Sequence, residues 1–369
     1  MKLNHYYTLG NSGLRVSRLA LGTMTFGTDW GWGADKDTAR GLFNSYVDAG
    51  GNLIDTADMY LNGNSEQWVG DFVRERKLRD QLVIATKFSF NPDPSNPNSG
   101  GNSRKNIMRA VEGSLKRLGT DYIDLYLLHC WDQVTPVEEV MRSFDALVRS
   151  GKVRHVGMSN VPSWYASRAQ SIAEFRGYES VCTLQMSYSL VERSIENEFT
   201  ALATHYGMGT MVWSPLGGGI LSGKYKPSQD GKHGEGRLQG MSNPAFAKFS
   251  ERNFSIIAEL EKVARELGRS MPQVAVNWVA NRPGVATVLI GATKQAQLDD
   301  NLQALDFSIP AELLARLDAV SAVEASYPYT YFTPFVQNQV AGNHPLQDKP
   351  ASYAPPILIP GASAAAGNE

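Results

Sequence analysis

Short apolar runs alternate along this chain with longer segments in which apolar residues recur at helical spacing. Runs of the first kind are typical of buried strands, and segments of the second kind are typical of amphipathic helices. Their regular alternation predicts a parallel sheet covered by helices. Eight runs are expected to form strands, near residues 19–21, 53–55, 83–86, 123–128, 153–157, 183–185, 210–213 and 288–290.

Two of the helical segments have readable ends. In the first, Thr135 is expected to cap the helix, Pro136 to open its first turn and Glu138 to complete a capping box. Its buried face is expected to consist of Val140, Phe144, Leu147 and Val148, and Gly151 is expected to stop it. The second is expected to end at Gly119 and to bury Ile107, Val111, Leu115 and Leu118.

Such helices cover an open sheet or a closed barrel equally well. An open doubly wound sheet would need a glycine fingerprint directly after an early strand, with an acidic residue ~20 positions later. The nearest candidate, the segment 217–222, comes late in the chain and lacks the third glycine. We therefore predict an α/β fold of the (β/α)8 TIM-barrel class.

Three segments lie outside the eight repeats. Residues 6–9 and 14–16 are expected to form an N-terminal hairpin that plugs the bottom of the barrel. The glycine-rich segment 217–249 is too long for a simple connection and is expected to fold over a ligand. We predict one barrel domain over 1–349, with a core of about 9–317 and an aromatic C-terminal segment 318–349, and then a Pro/Ala/Gly-rich tail, 350–369.

Composition narrows the function classes. Hydrophobic residues make up 42% and charged residues 20% of the chain, which is enough to bury a large core. A net charge of −2 provides no basic field for nucleic acid. No apolar run is long enough to span a membrane and the first residues are polar, so a soluble, cytoplasmic protein is expected, either a monomer or a homo-oligomer. Cys130 and Cys182 are expected to be reduced, buried packing residues.

Four side chains that can carry chemistry fall at consecutive strand ends: Asp55, Tyr60, Lys87 and His129. Each taken singly has an ordinary structural explanation, but active sites of such barrels lie at the carboxyl ends of the strands. Carbonyl reduction needs a proton for the oxygen, and a free phenol gives one reluctantly. Lys87 is expected to lower the pKa of Tyr60, Asp55 to hold the ammonium, and His129 to orient the carbonyl.

The segments that carry these residues resemble the aldo-keto reductase superfamily. They are residues 51–60, Gly-Asn-Leu-Ile-Asp-Thr-Ala-Asp-Met-Tyr, residues 83–87, Val-Ile-Ala-Thr-Lys, and residues 124–129, Asp-Leu-Tyr-Leu-Leu-His. Residues 213–216 and 222–224 are most similar to the aryl-alcohol-dehydrogenase-like and potassium-channel β-subunit branches. The resemblance extends from about residue 9 to 317 and implies an NADP-dependent reductase acting on a small carbonyl or alcohol.

The resemblance also implies a cofactor site. Ser159, Asn160 and Gln185 would hold the nicotinamide carboxamide, and Trp213 would stack on its ring. Lys224, Arg237 and Lys294 offer charge for a ribose phosphate, which favours NADPH while leaving NADH open. Gly291-Ala292-Thr293 would open a helix suited to phosphate. The full set implied is Gly22, Thr23, Met24, Asp55, Ser159, Asn160, Gln185, Trp213, Ser214, Pro215, Leu216, Gly218, Lys224, Arg237, Ile290, Gly291, Ala292, Thr293, Gln297, Asp300 and Asn301.

Three tryptophans could wall a substrate pocket beside Tyr60 and His129, namely Trp30, Trp32 and Trp131, although packing on the C-terminal segment is an alternative for them. Aromatic or bulky alicyclic aldehydes and ketones would suit such walls. Two other functions stay open. One is an NADP(H)-binding redox sensor with slow turnover; the other is a metal-dependent hydrolase, which the six histidines, none in a His-x-His pair, do not favour. We expect no metal.

Overall fold

A closed barrel of parallel strands forms the centre of the molecule. The computed structural model describes residues 3–228, 233–239, 248–342 and 344. In this part of the chain the barrel strands are β3 Leu19–Gly22, β4 Leu53–Asp55, β5 Val83–Phe88, β6 Ile123–Leu128, β7 Val153–Ser159, β8 Val181–Ser187, β9 Gly209–Trp213 and β10 Val285–Ile290. They pair in chain order, and β10 closes on β3. The prediction of eight strands in a TIM barrel is confirmed.

The N-terminal hairpin is formed by β1 Tyr6–Thr8 and β2 Arg15–Ser17, which pair antiparallel. Leu9 in its turn is fully buried and shares an apolar cluster inside the barrel with Leu53, Leu125 and Met211. The turn therefore fills the lower part of the barrel, as predicted.

Among the described residues, all helices but the last contribute to a second apolar cluster around the outer faces of the strands, and the last one buries no residue. Their bounds are α1 Lys36–Asp48, α2 Asn64–Arg76, α3 Arg104–Leu118, α4 Val137–Arg149, α5 Ser163–Arg176, α6 Phe199–Tyr206, α7 Glu251–Leu267, α8 Met271–Ala280, α9 Gln295–Leu302, α10 Ala311–Val320 and α11 Pro334–Val340. The predicted buried face of α3 is confirmed, and Gly119 ends this helix at φ 65°.

The start of α4 differs from the prediction. Pro136 is its N-cap, and no side chain caps it. The Thr135 hydroxyl is used elsewhere, since it donates to Asp132 at 2.6 Å, and Glu138 accepts from Arg168 at 3.0 Å. The prediction of a capping box is therefore wrong, because Asp132 in the preceding loop accepts the hydroxyl proton of Thr135. The buried face is as predicted except that Val148 is half-buried.

Two further features qualify the predictions. Cys182 is buried inside the barrel, but Cys130 is only half-buried, because it lies in the loop after β6; both are free thiols.

In the C-terminal segment, Tyr327 is 80% and Phe335 70% exposed. The tail 350–369 and parts of the segment 217–249 lie outside the described residues. No helix in the described part of the chain is long and apolar enough to cross a membrane.

Candidate active site

The upper end of the barrel brings together the four side chains selected from the sequence. Asp55 ends β4, Lys87 is the penultimate residue of β5, and His129 directly follows β6. In the parallel register Asp55 pairs with Ala85, and Lys87 pairs with Leu127, so these positions lie at one rim of the barrel. Tyr60 reaches the same place from a short 3-10 turn, Tyr60–Gly63, in the loop after β4.

The Lys87 ammonium is the centre of the cluster. Its Nζ lies 2.6 Å from Asp55 Oδ1, 2.7 Å from the Thr56 carbonyl oxygen and 3.3 Å from the Tyr60 hydroxyl. Lys87 is fully buried, and Asp55 is 1% exposed. A buried ammonium and carboxylate in such close contact stabilise each other's charged forms, whereas either one alone would be costly. The pair thus holds a positive charge beside a phenol.

Burial dominates the acidity of Tyr60. Desolvation raises the pKa of the phenol, and the charge of Lys87 acts against that rise without cancelling it; Arg237 adds a smaller lowering effect. Lys87 thus has the expected lowering effect on the pKa of Tyr60, but burial, with a smaller contribution from the charge of Asp55, outweighs it. A phenol that keeps its proton at neutral pH can still serve as a proton donor.

The other two ionisable groups respond in different directions. Burial raises the pKa of the Asp55 carboxyl, against the opposing effect of Lys87. For His129, burial and then the charge of Lys87 hold the pKa well below its ordinary value. The imidazole is therefore neutral near pH 7, and a neutral ring can donate one hydrogen bond to a carbonyl oxygen. Its ring lies edge-on to Tyr60, with centroids 5.9 Å apart.

Residues that the resemblance assigns to the nicotinamide lie on the opposite wall of the same rim. Ser159 ends β7, Gln185 is in β8 and Trp213 ends β9. Asn160 and Ser214 both adopt positive φ, 49° and 57°, which is uncommon for residues other than glycine. The buried indole Nε1 of Trp213 has no hydrogen-bond partner in the described part of the chain. These groups suit a planar ligand that carries its own hydrogen-bonding amide.

Gln185 has a partner that the sequence did not suggest. Its Nε2 donates to Asp55 Oδ2 at 2.7 Å, across the barrel. Ser159 also turns inward, donating to the Gln185 carbonyl oxygen at 2.8 Å. Asn160 Nδ2 donates to Ser159 Oγ and to the His129 carbonyl oxygen, both at 2.9 Å. All three residues expected to hold a carboxamide are therefore joined to the four-residue cluster or to each other.

The phosphate end of the implied cofactor site differs in detail from the prediction. Gly291-Ala292-Thr293 does not open a helix, because α9 begins two residues later, with Lys294 as its N-cap. The Thr293 backbone N–H donates to the Gln297 side-chain amide oxygen at 2.8 Å. This side-chain hydrogen bond, and not a helical turn, fixes the loop. Both carboxylate oxygens of Asp300 accept hydrogen bonds at the start of α8, one from the Ser270 hydroxyl and one from the Gln273 side-chain amide.

The remaining residues of the implied site lie around the ends of β3, β9 and β10. Ser214 Oγ accepts the Gly218 N–H at 2.8 Å, which shapes the glycine loop after β9. Thr23 is buried and donates to the Asp55 carbonyl oxygen. Gly22 and Ile290 end β3 and β10, and Met24, Pro215 and Leu216 follow β3 and β9. Lys224 comes after the 3-10 helix Gly217–Ser222, and Asn301 lies in α9.

Arg237 occupies a position that the sequence did not indicate. Its guanidinium lies over the Trp32 ring, 4.4 Å from the centroid, and its Nη2 is 3.9 Å from Met24 Sδ. Its charge acts on Tyr60. Arg237 therefore lies beside Trp32 and Met24, within electrostatic reach of Tyr60.

The candidate substrate residues divide into two groups. Trp30 and Trp32 are half-buried, and their ring centroids lie 5.5 Å apart. Trp131 instead packs edge-on to Trp164, at 5.6 Å, and beside Tyr165 of α5. Trp30 and Trp32 thus form a pair in the loop after β3, whereas Trp131 packs against α5.

Sequence reasoning missed Phe90. Its ring stands edge-on to His129 with centroids 4.9 Å apart, and the residue is 42% exposed. The signal was present, since an aromatic residue three positions after Lys87 falls in the loop of the same strand end. Among the described residues, no three or more His, Cys, Asp or Glu side chains are grouped so that they could hold a metal ion.

Comparison with known proteins agrees with this geometry. Residues 18–322 match the family model described as aldo/keto reductase family. The chain is 32% identical over 333 residues to an NADP(+) aryl-alcohol dehydrogenase of Phanerodontia chrysosporium, covering 87% of this chain and 86% of the relative. It is 31% identical over 335 residues to norsolorinic acid reductase of Aspergillus flavus, covering 89% and 83%.

A third relative has a different description. The chain is 35% identical over 326 residues to a probable voltage-gated potassium channel subunit beta of Oryza sativa subsp. japonica, covering 88% of this chain and 97% of the relative. Both branches named from the sequence are therefore represented among the similar proteins.

Proposed function

Since the chain belongs to the aldo/keto reductase family and is thus an oxidoreductase, we propose that it reduces aldehydes or ketones to alcohols with NADPH, using Tyr60 as the proton donor. One observation carries the proposal: the Lys87 ammonium lies within 2.6 Å of Asp55 and 3.3 Å of the Tyr60 hydroxyl in a buried cluster. The preferred substrates are aromatic or bulky alicyclic carbonyls.

The donor set fits a nicotinamide dinucleotide. The half-buried Trp213 indole offers a stacking surface, and polar side chains of β7 and β8 offer hydrogen bonds. The exposed Lys224 and Lys294 offer positive charge. Bound NADPH would supply the hydride for the carbonyl carbon. Its preference over NADH is supported by these lysines and by the similarity to a dehydrogenase described as NADP-dependent.

The protein groups act on the carbonyl oxygen. Tyr60, kept protonated by burial, gives its proton to the oxygen as negative charge develops there. The neutral His129 ring donates a hydrogen bond that orients the same oxygen. After the transfer, the charge of Lys87 stabilises the phenolate that Tyr60 becomes. The aromatic rings of Phe90, Trp30 and Trp32 favour a flat, apolar substituent on the substrate.

A panel assay tests this proposal. The full chain would be incubated with NADPH or NADH and with aromatic, alicyclic and short aliphatic carbonyls, and cofactor oxidation followed by absorbance. We expect kcat/KM to be at least ~10-fold higher with NADPH, equivalent to about 1.4 kcal/mol. Aromatic and alicyclic compounds should be preferred over short aliphatic ones. Equal use of both cofactors would remove the NADPH preference, and inactivity on every carbonyl would remove the reductase assignment.

The similarity to a potassium channel subunit supports a second candidate function, that of a redox sensor that binds NADP(H) and turns over slowly. The same assay separates the two when combined with a cofactor-binding titration. Tight NADPH binding with turnover near zero on all carbonyls is the result that the sensor predicts.

A further inference from the structure

The backbone of His129 and Cys130 is held by three side chains from other parts of the barrel rim. Asn160, just after β7, donates from Nδ2 to the His129 carbonyl oxygen at 2.9 Å. Ser89, just after β5, accepts hydrogen bonds from the backbone N–H groups of His129 and Cys130 at 3.1 and 3.3 Å. Asn102, in the loop before α3, donates from Nδ2 to the Cys130 carbonyl oxygen at 2.9 Å. The Ser89 and Asn102 side chains are buried. The start of the loop after β6 is thus fixed from its neighbours.

The Ser89 and Asn102 side chains are hydrogen-bonded to each other and form one unit. The Ser89 hydroxyl donates its single proton to Asn102 Oδ1 at 2.7 Å, so its oxygen remains free to accept from two N–H groups. The orientation of the Asn102 amide follows, because Oδ1 faces a donor and Nδ2 faces a carbonyl oxygen. Every polar group of the pair is used, and neither side chain can rotate without losing bonds.

The backbone of Ser89 indicates that its hydroxyl is needed. Its φ is 134°, a region that side-chain-bearing residues rarely adopt. Glycine would adopt it without strain. The loop after β6 is also fixed further along the chain, because the Asn102 backbone N–H donates to the Asp132 carboxylate at 2.8 Å. The hydroxyl of this strained serine accepts the Cys130 N–H and shares the His129 N–H with the Phe88 carbonyl oxygen, which lies 2.9 Å from that nitrogen.

The ring of His129 needs such support. Its buried Nδ1 has no hydrogen-bond partner in the described part of the chain, so no bond through that atom orients the imidazole. Its ring contacts are edge-on, with Tyr60 and Phe90. The position of the ring against a carbonyl oxygen therefore depends on the backbone that carries it.

We propose that Ser89 and Asn102 are positioning residues for carbonyl reduction, which hold the His129 backbone so that the imidazole meets the substrate oxygen. This inference rests on the proposed reductase function. A displacement of about 1 Å in a reacting group can lower a rate by ~10²-fold. Partial loosening of one backbone segment is expected to cost about 10-fold.

Ser89→Gly is the most informative change, because glycine adopts the positive φ without strain and the change removes only the small hydroxymethyl group that carries the hydrogen bonds. Asn102→Ala removes the second half of the unit. A matched control is Asn277→Ala: Asn277 is also buried, and its Nδ2 donates to the Ala304 and Phe307 carbonyl oxygens at 2.8 and 2.7 Å, in α8 outside the catalytic rim. It should lose stability without losing rate.

The rate of one turnover would be measured with enzyme preloaded with NADPH and mixed with an aromatic aldehyde, well below the melting temperature. We expect about 10-fold slower turnover for Ser89→Gly and Asn102→Ala, with the NADPH Kd unchanged within about twofold. In a His129→Gln background, Ser89→Gly should have almost no further effect, because it acts through the imidazole. A purely structural role would not produce that coupling.

Three results would overturn the inference: Ser89→Gly turning over within about twofold of the parent, the same loss with and without His129, or an equal loss in Asn277→Ala. If Asn102→Ala does not fold, Ser89→Gly alone decides. Failure of the proposed function looks different, since the parent chain itself would then oxidise no NADPH with any carbonyl.

Discussion

Gln185 and Asp55, 130 residues apart in the chain, are joined across the barrel by a hydrogen bond of 2.7 Å. The bond uses Asp55 Oδ2, and the Lys87 ammonium uses Oδ1. Both oxygens of the buried carboxylate are therefore satisfied, as a buried charge requires. Gln185 thus helps to fix the ion pair that lies beside Tyr60.

Replacing Gln185 with Leu should test this role. The change leaves Asp55 Oδ2 buried without its donor, so we expect the free energy of unfolding to fall by about 1–3 kcal/mol and turnover to fall by ~10-fold. Denaturant unfolding and cofactor oxidation would measure both. Gln170→Leu is a matched control, since this buried glutamine accepts the Val181 N–H at 2.9 Å at the start of β8, outside the ion pair. Equal losses of turnover in the two variants would contradict a specific role of Gln185.

Tyr60→Phe should abolish proton donation. We expect NADPH binding to remain and carbonyl reduction to fall by at least ~10²-fold, the scale of lost general-acid catalysis. The control is Tyr126→Phe, because the buried Tyr126 hydroxyl has no hydrogen-bond partner among the described residues. Rates would be measured in a single turnover. Near-normal reduction by Tyr60→Phe would assign the proton to another group.

The pH dependence of reduction follows from the two shifted groups. Burial raises the pKa of Tyr60 and lowers that of His129, so the phenol stays protonated and the imidazole neutral over a wide range. The rate should be flat from about pH 6 to 9 and fall only as the pH rises through the raised phenol pKa, above about 10. NADPH affinity at each pH serves as the control. A decline between about pH 7 and 9 would show that Lys87 outweighs burial.

Asp58 allows a test on stability rather than rate. Burial, and then the charge of Glu66, raise the pKa of this carboxyl from 3.8 to about 7. Its Oδ1 has no hydrogen-bond partner within the described residues. The unfolded carboxyl ionises near pH 4 while the folded one keeps its proton to about pH 7, so the stabilising contribution present at low pH is lost across this window.

Asp58→Asn should therefore be more stable than the parent by about 1–4 kcal/mol near pH 8, and the difference should vanish near pH 4. Thermal melts across this range would measure it. Asp37→Asn is the control, since the Asp37 side chain is 92% exposed and should give no such trend. A difference that is the same at both ends of the range would place the ionisation elsewhere.

Local pattern was sufficient for much of the fold. All eight strands, the hairpin and the buried face of α3 follow from the period of apolar residues, which each segment carries by itself. The start of α4 did not follow, because the Thr135 hydroxyl had two possible partners, its own helix and Asp132. Sequence spacing does not rank such competing hydrogen bonds.

The sequence by itself determined the number of strands, the barrel and the identity of the four groups at its rim, since strand ends and residue types can be read in order along the chain. Only the tertiary structure decided that Gln185 donates to Asp55, that Ser89 supports His129, and that burial outweighs the charge of Lys87 at the Tyr60 hydroxyl. These relationships depend on distances between remote segments and on exclusion of water, and neither quantity exists until the barrel closes.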